Sequence, residues 1–201
     1  MTRRPKTPPK WLPLRTERLI LREFRASDLS DIHAYAVSRR VTRFMDWGPN
    51  TLEETKTFLD RHLAEQNTWP RGGVNIAIEV AAEGRLIGSI RLGVVDAKTR
   101  TGDFGYSIHH DYWNRGFTTE AAAALLQVGF ETLGLRRIFA TCDVRNTGSW
   151  TVMEKLGMRR EAMFRQDVRS RTGWRDSYLY AILAAEWRRQ AGASGGRAGR
   201  L

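Results

Sequence analysis

Residues 104–120 read Phe104-Gly105-Tyr106-Ser107-Ile108-His109-His110-Asp111-Tyr112-Trp113-Asn114-Arg115-Gly116-Phe117-Thr118-Thr119-Glu120, and Ala121 to Leu126 follow. Aromatic and β-branched residues lead into a Gly-containing loop, and a run of helix formers begins directly after it. The segment therefore predicts a strand over about 102–109, a loop, and a helix from near Thr118 to Leu133, stopped by Gly134. A helix start exposes unpaired N–H groups and the positive end of the peptide dipoles. Gly116 lets a ligand approach the backbone, Thr118 and Thr119 offer hydroxyls, and Arg115 adds a cation. These are the requirements of a pyrophosphate site. A plain capped helix fits the same residues.

On the N-terminal side, Arg18 to Phe24 is a strand-type run, and Ser27 caps a helix with apolar residues at helical spacing through Ala36. Thr51-Leu52-Glu53-Glu54 is a capping box opening a second helix to about Gln66. Strands are expected at about 75–81 and 85–96 around the Glu83-Gly84 turn. On the C-terminal side, Ile138 to Val144 reads as a strand and Asn146 to Leu156 as a short helix. Strands near 159–169 and 174–183 form a hairpin turning at Thr172-Gly173. The order is mixed α/β rather than a regular βα alternation.

The chain has 201 residues with 33 Lys and Arg against 22 Asp and Glu, a formal balance of +11. That is one domain with a substantial core. Nine of those cations lie in residues 1–16 and 188–201, which hold no acid, so 17–187 carries 24 against 22. The domain division expected is a basic mobile tail at 1–15, one domain at 16–187, and a Gly/Arg-rich mobile tail at 188–201. The tails read as solubilising segments, with loose anchoring to an acidic partner such as ribosomal RNA as the other reading. There is no apolar run long enough to cross a membrane and no signal peptide. The lone Cys142 excludes an internal disulfide and a Cys-based zinc site. The expected setting is the cytoplasm.

The commonest phosphate loops, the His-Glu-x-x-His zinc motif and the Gly-x-Ser-x-Gly elbow are absent. His109-His110 is the one His pair, and adjacent strand residues point to opposite faces, so no metal is expected there.

Three stretches together resemble the GCN5-related N-acetyltransferase (GNAT) superfamily, and within it the ribosomal-protein (RimJ/RimL-like) branch. They are Thr16 to Arg22 with Asp28, Trp113 to Ala121, and Asn146-x-x-Ser149-x-x-x-x-Glu154-Lys155-Leu156-Gly157-Met158. The likeness spans about 15–184. It departs from the usual pattern at Asn114, where a Gly is common, at Thr118, where Gly or Ala is preferred, and at Met153, where many members carry a Tyr that protonates the leaving thiolate. A Glu that serves some relatives as base would align near Val168, with Asp167 beside it facing the other way.

The resemblance implies a GNAT-type mixed sheet of about seven strands with about four helices, its splayed strands forming the acetyl-CoA cleft. It implies acetyl-CoA as co-substrate and no metal. Pyrophosphate contacts are expected from Arg115, Gly116, Phe117, Thr118 and Thr119, and pantetheine contacts from Ile108, His110 and Asn146, with Ser149 near the sulfur. Ser149 is the candidate acid, and Asp103 the candidate base acting through water. Tyr35, Phe44 and Trp47 are expected to border the acceptor pocket. The favoured acceptor is a protein or peptide N-terminus, since an α-amine of pKa about 7.7–8.0 needs less help than a lysine. A small-molecule amine (polyamine, aminoglycoside or amino acid) is the alternative acceptor. A non-catalytic acyl-CoA- or RNA-binding module is the alternative class. A homodimer is expected on the resemblance alone.

Overall fold

The computed structural model describes residues 9–68, 71–170 and 173–195. The chain enters through β1 (Leu14–Arg15) and β2 (Leu19–Arg22). Three helices follow: α1 (Leu29–Ala36), α2 (Arg39–Thr42) and α3 (Leu52–Glu65). Then come β3 (Gly73–Val80), β4 (Arg85–Asp96) and β5 (Thr101–Ile108). Helix α4 (Phe117–Gln127), β6 (Arg137–Asp143) and α5 (Thr147–Lys155) lead to β7 (Arg159–Ser170), β8 (Gly173–Leu183) and α6 (Ala184–Gly195).

All eight strands join one sheet in the order β1-β2-β3-β4-β5-β6-β8-β7. Its pairs are antiparallel except β5 with β6. Alternate side chains of the central strands supply two cores. Ile76, Ile78, Ile90, Leu92, Phe104 and Ile108 pack with Ala121, Leu125 and Leu126 of α4. On the other face, Ala77 and Leu86 pack with Ile32, Tyr35 and Leu59 of α1 and α3. The capping box expected at Thr51 forms: Thr51 N–H donates to Glu54 at 2.7 Å and Glu54 N–H to Thr51 Oγ1 at 3.2 Å.

The first connection is pinned by buried charge. The Arg22 guanidinium donates to both carboxylate oxygens of Asp28, at 2.8 and 2.9 Å, and through Nε to Glu79. This ties β2 to the turn ahead of α1 and to β3.

Regular structure extends past both expected domain boundaries. Regular structure begins inside the span read as a tail: Leu14–Arg15 pair with Ile20 and Leu21, and Trp11, Leu12 and Leu14 pack on the core. The basic, Pro-rich composition hid these apolar anchors. The C-terminal span read as a tail begins as helix, because Arg188 to Gln190 continue the turn that Glu186 and Trp187 open. Trp187 sets its ring 5.9 Å from Phe130. Among the described residues the sheet has eight strands and there are six α-helices, the mixed α/β architecture expected. Residues 1–8 and 196–201, and Thr172 of the expected hairpin turn, lie outside the described residues. Among the described residues no helix is long and apolar enough to cross a membrane.

Candidate active site

The site arises where the two parallel strands part. β5 and β6 share only the register pairs Thr101 with Arg137, Gly102 with Ile138 and Asp103 with Phe139. Beyond them β5 runs on to Ile108 beside β4, while β6 stays with β8. His109 N–H donates to the Ile87 carbonyl at 2.7 Å. By the alternation of an antiparallel ladder, odd-numbered residues of β5 therefore bond to β4, and Tyr106 and Ile108 turn their peptide groups into the gap. The Ile108 carbonyl is already taken by Trp113 Nε1 at 3.0 Å. An unmet backbone edge in this gap suits an extended amide-containing chain.

Beside the gap, α4 starts on Gly116 with φ +80°. No side chain caps this helix, and its first internal bond is Glu120 N–H to the Gly116 carbonyl. The N–H groups of Phe117, Thr118 and Thr119 therefore lack intrahelical partners. Asn114 also takes a left-handed conformation, φ +59°, which suits Gly or Asn and disfavours most other residues. The turn is braced from the connection between β1 and β2. Arg18 Nη1 donates to the Arg115 carbonyl at 3.0 Å, and Arg18 Nε donates to Glu120 at 2.7 Å. Thr16 Oγ1 also donates to Glu120, at 2.6 Å. These bonds hold the Glu120 carboxyl below the ordinary carboxylate range against a burial effect that raises it.

Across the gap, Asn146 caps α5, its Oδ1 accepting from Ser149 N–H at 3.2 Å. The Tyr106 hydroxyl donates to the Ser149 carbonyl at 2.9 Å and lies 3.1 Å from Ser149 Oγ. Burial pushes the Tyr106 phenol well above its ordinary pKa, so it keeps its proton. Burial likewise pushes the Cys142 thiol up to about 11, which removes it as a nucleophile at neutral pH.

One cleft of about 1300 Å³ collects these parts. Its walls hold Gly116, Thr118 and Thr119 at one end, Ile108, Asn146 and Ser149 along the gap, and Asp103, Tyr35, Phe44 and Trp47 at the other. Three expected contacts differ. His110 lies in the turn after β5, where its carbonyl accepts from Trp113 N–H, so it offers no strand-like pairing. Phe117 is buried, leaving only its N–H for a ligand. The Arg115 guanidinium stacks 5.0 Å from the Tyr112 and Phe117 rings rather than into the cleft. Tyr35, 2% exposed, lines the cleft from its floor. Asp103 pairs with Arg91, so its carboxylate is already engaged.

Because the strand ends at Ile108, His109 and His110 do not face opposite ways: their rings stack 4.5 Å apart. Their ligating atoms and those of Asp111 lie within 4.8 Å of one another. His109 Nδ1, however, accepts from Asp111 N–H at 3.2 Å, and His110 Nδ1 meets Ser38 Oγ at 3.3 Å.

Reading the residues in order missed Tyr106, whose partner lies 43 positions away. The available signal was a hydroxyl-bearing aromatic on a half-buried strand, since such groups find a partner when buried.

A family model described as an acetyltransferase (GNAT) domain matches residues 18–159. The uncharacterized N-acetyltransferase YnaD of Bacillus subtilis is 33% identical over 172 residues, covering 86% of this chain and 97% of its own. The crystal structure of a GNAT-family acetyltransferase from Bacillus anthracis is 34% identical with a TM-score of 0.76, covering 86% of this chain and 98% of its own. A spermidine N-acetyltransferase from Vibrio cholerae, solved with CoA and spermine, is 20% identical with a TM-score of 0.73. It covers 86% of this chain and 99% of its own, a likeness of fold alone.

Proposed function

The chain belongs to the acetyltransferase (GNAT) family and is an acyl-CoA-dependent N-acetyltransferase, and from that premise we propose that it acetylates the free amino terminus of a peptide or protein, as a ribosomal-protein-type enzyme. The structural features fit the coenzyme. The uncapped start of α4 offers Phe117, Thr118 and Thr119 N–H groups to a pyrophosphate, and a Cβ at Gly116 would meet nothing closer than Arg18 Nη2 at 3.3 Å. The open edge of β5 at Tyr106 and Ile108, with Asn146 opposite, suits the pantetheine amides. When bound, acetyl-CoA supplies the activated acyl group.

This chain's residues then act as follows. Backbone N–H groups of β5 stabilise charge developing on the carbonyl oxygen. Ser149 gives its proton toward the departing sulfur, and Tyr106 positions it by holding its carbonyl and hydroxyl. Asp103 receives the amine's proton through water. It also pairs with Arg91, and an amine of pKa about 7.7–8.0 needs little help to lose its proton.

One observation carries the choice of acceptor. The acceptor end is lined by Arg61 and Arg91, while of its acids Asp103 is paired with Arg91 and Glu54 is spent on the Thr51 cap, which leaves Asp46. A polycation such as spermidine meets one free carboxylate there, Asp46, rather than an acidic wall; a peptide terminus carries a single cation. Mass spectrometry of products from a panel of peptides, polyamines, aminoglycosides and amino acids tests this. Peptide α-acetylation is the expected product; preferential turnover of polyamines overturns the reading. No turnover of any amine, with salt-sensitive RNA binding, would point to a binding module.

The roles of Ser149 and Tyr106 predict a split effect. Ser149→Ala and Tyr106→Phe should each lower kcat about tenfold or more, leaving acetyl-CoA affinity by calorimetry within about threefold. An unchanged kcat for Ser149→Ala removes both residues from proton transfer.

A further inference from the structure

Arg175, on β8, has a side chain only 6% exposed. Its Nη2 donates to the Met45 carbonyl at 3.3 Å, but Nε and Nη1 are buried without a hydrogen-bond partner. Nη1 stands 3.7 Å from Asp143 Oδ2, an ion pair too long for a hydrogen bond. Asp143 is held elsewhere. Arg145 N–H and Nε both donate to its Oδ1 at 2.9 Å, and Arg145 Nη2 donates to its Oδ2 at 2.8 Å. Two guanidiniums thus compete for one buried carboxylate.

Unmet donors on a buried cation held by one loose ion pair are costly, and each such group in a fold calls for a reason. Among its direct contacts the cluster is one anion short; Asp176 acts on Arg145 only through space. It also sits at the cleft: Asp143 and Met45 both line it. The Arg145 side chain is 62% exposed and lies 5.9 Å above the Phe44 ring at the acceptor rim.

We propose that the acceptor brings the missing anion, a carboxylate a few bonds from its reacting amine, which the Arg145 fork receives while Asp143 passes to Arg175. The exchange leaves two guanidiniums and two carboxylates, each paired, and needs no covalent step. It rests on the acetyl-transfer reading and narrows the acceptor to amines that carry a carboxylate. An acidic side chain in the first positions of a peptide and the α-carboxylate of a free amino acid share that chemistry.

The test is calorimetric titration of matched acid and amide acceptors into the full chain saturated with CoA. One pair is a peptide with Asp or Asn at its second position; the other is a free amino acid and its amide. Wild type should bind the acid member of at least one pair about tenfold more tightly, the scale of a charge-assisted fork. Preference in the peptide pair identifies a side-chain carboxylate, and preference in the other an amino acid. Arg145→Ala should bring the ratio close to one, and Arg145→Lys should restore part of it. Equal binding of acid and amide in both pairs, or a preference that survives Arg145→Ala, overturns the proposal. Binding is read without turnover. Failure to acetylate any amine while the acid preference persists would sink the acetyl-transfer reading and support the anion site.

Discussion

Gly116→Glu should weaken acetyl-CoA binding by roughly two orders of magnitude or more, with the fold intact. Three effects add at this residue. Its φ of +80° is a conformation that L side chains rarely adopt. Its Cβ would crowd Nη2 of the Arg18 guanidinium, whose Nη1 braces the turn. Above all, a carboxylate there would satisfy the N–H groups that await the pyrophosphate and would place negative charge where more must bind. Losing two charge-assisted hydrogen bonds at about 1.5–3 kcal/mol each corresponds to at least a hundredfold. Calorimetry measures the loss, and circular dichroism melting checks the fold. Gly116→Ala, which adds the strain without the charge, should fall between. Affinity within threefold of wild type in the Glu variant would remove the α4 turn from coenzyme binding.

Arg22→Leu should destabilise the protein by about 3–5 kcal/mol, the scale of removing one partner from a buried ion pair. Asp28 and Glu79 are about as buried as Arg22, and the change removes the cation that both of them face. Arg25 approaches Glu79 only at 3.9 Å and is itself largely exposed. At about 2–4 °C per kcal/mol for a domain of this size, the melting temperature should drop by roughly 6–20 °C. Arg22→Lys keeps the charge and loses the fork that meets both Asp28 oxygens, so it should recover only part of the loss. Urea unfolding reads the difference; a midpoint unchanged in the Leu variant would show that these acids find solvent.

Both variants touch stretches that stood out in the sequence. Residues 16–22 and 113–121 carried the family resemblance, and the structure joins them through Thr16, Arg18 and Glu120, about a hundred positions apart. The residues could be singled out one stretch at a time, but the bonds between them could not. Nothing near Glu120 says that its partner is Arg18. Likewise, Asn146 and Ser149 were readable as a motif, whereas Tyr106 was just another apolar strand residue until β5 came to lie against α5.

Local signals alone determined the strand–loop–helix at 102–127, the Thr51 capping box and the alternation that gives the sheet two apolar faces. Capping and periodicity need only a few neighbouring residues, so they can be read along the chain. Sheet order was decided only in three dimensions. By placing β6 parallel to β5 for three register pairs and no further, it opens the cleft and leaves the β5 edge unmet. The same assembly sets Arg175 and Arg145 against a single Asp143 beneath the acceptor loop. Such pairings depend on which distant segments become neighbours, and that follows from the packing of the whole core rather than from any one stretch.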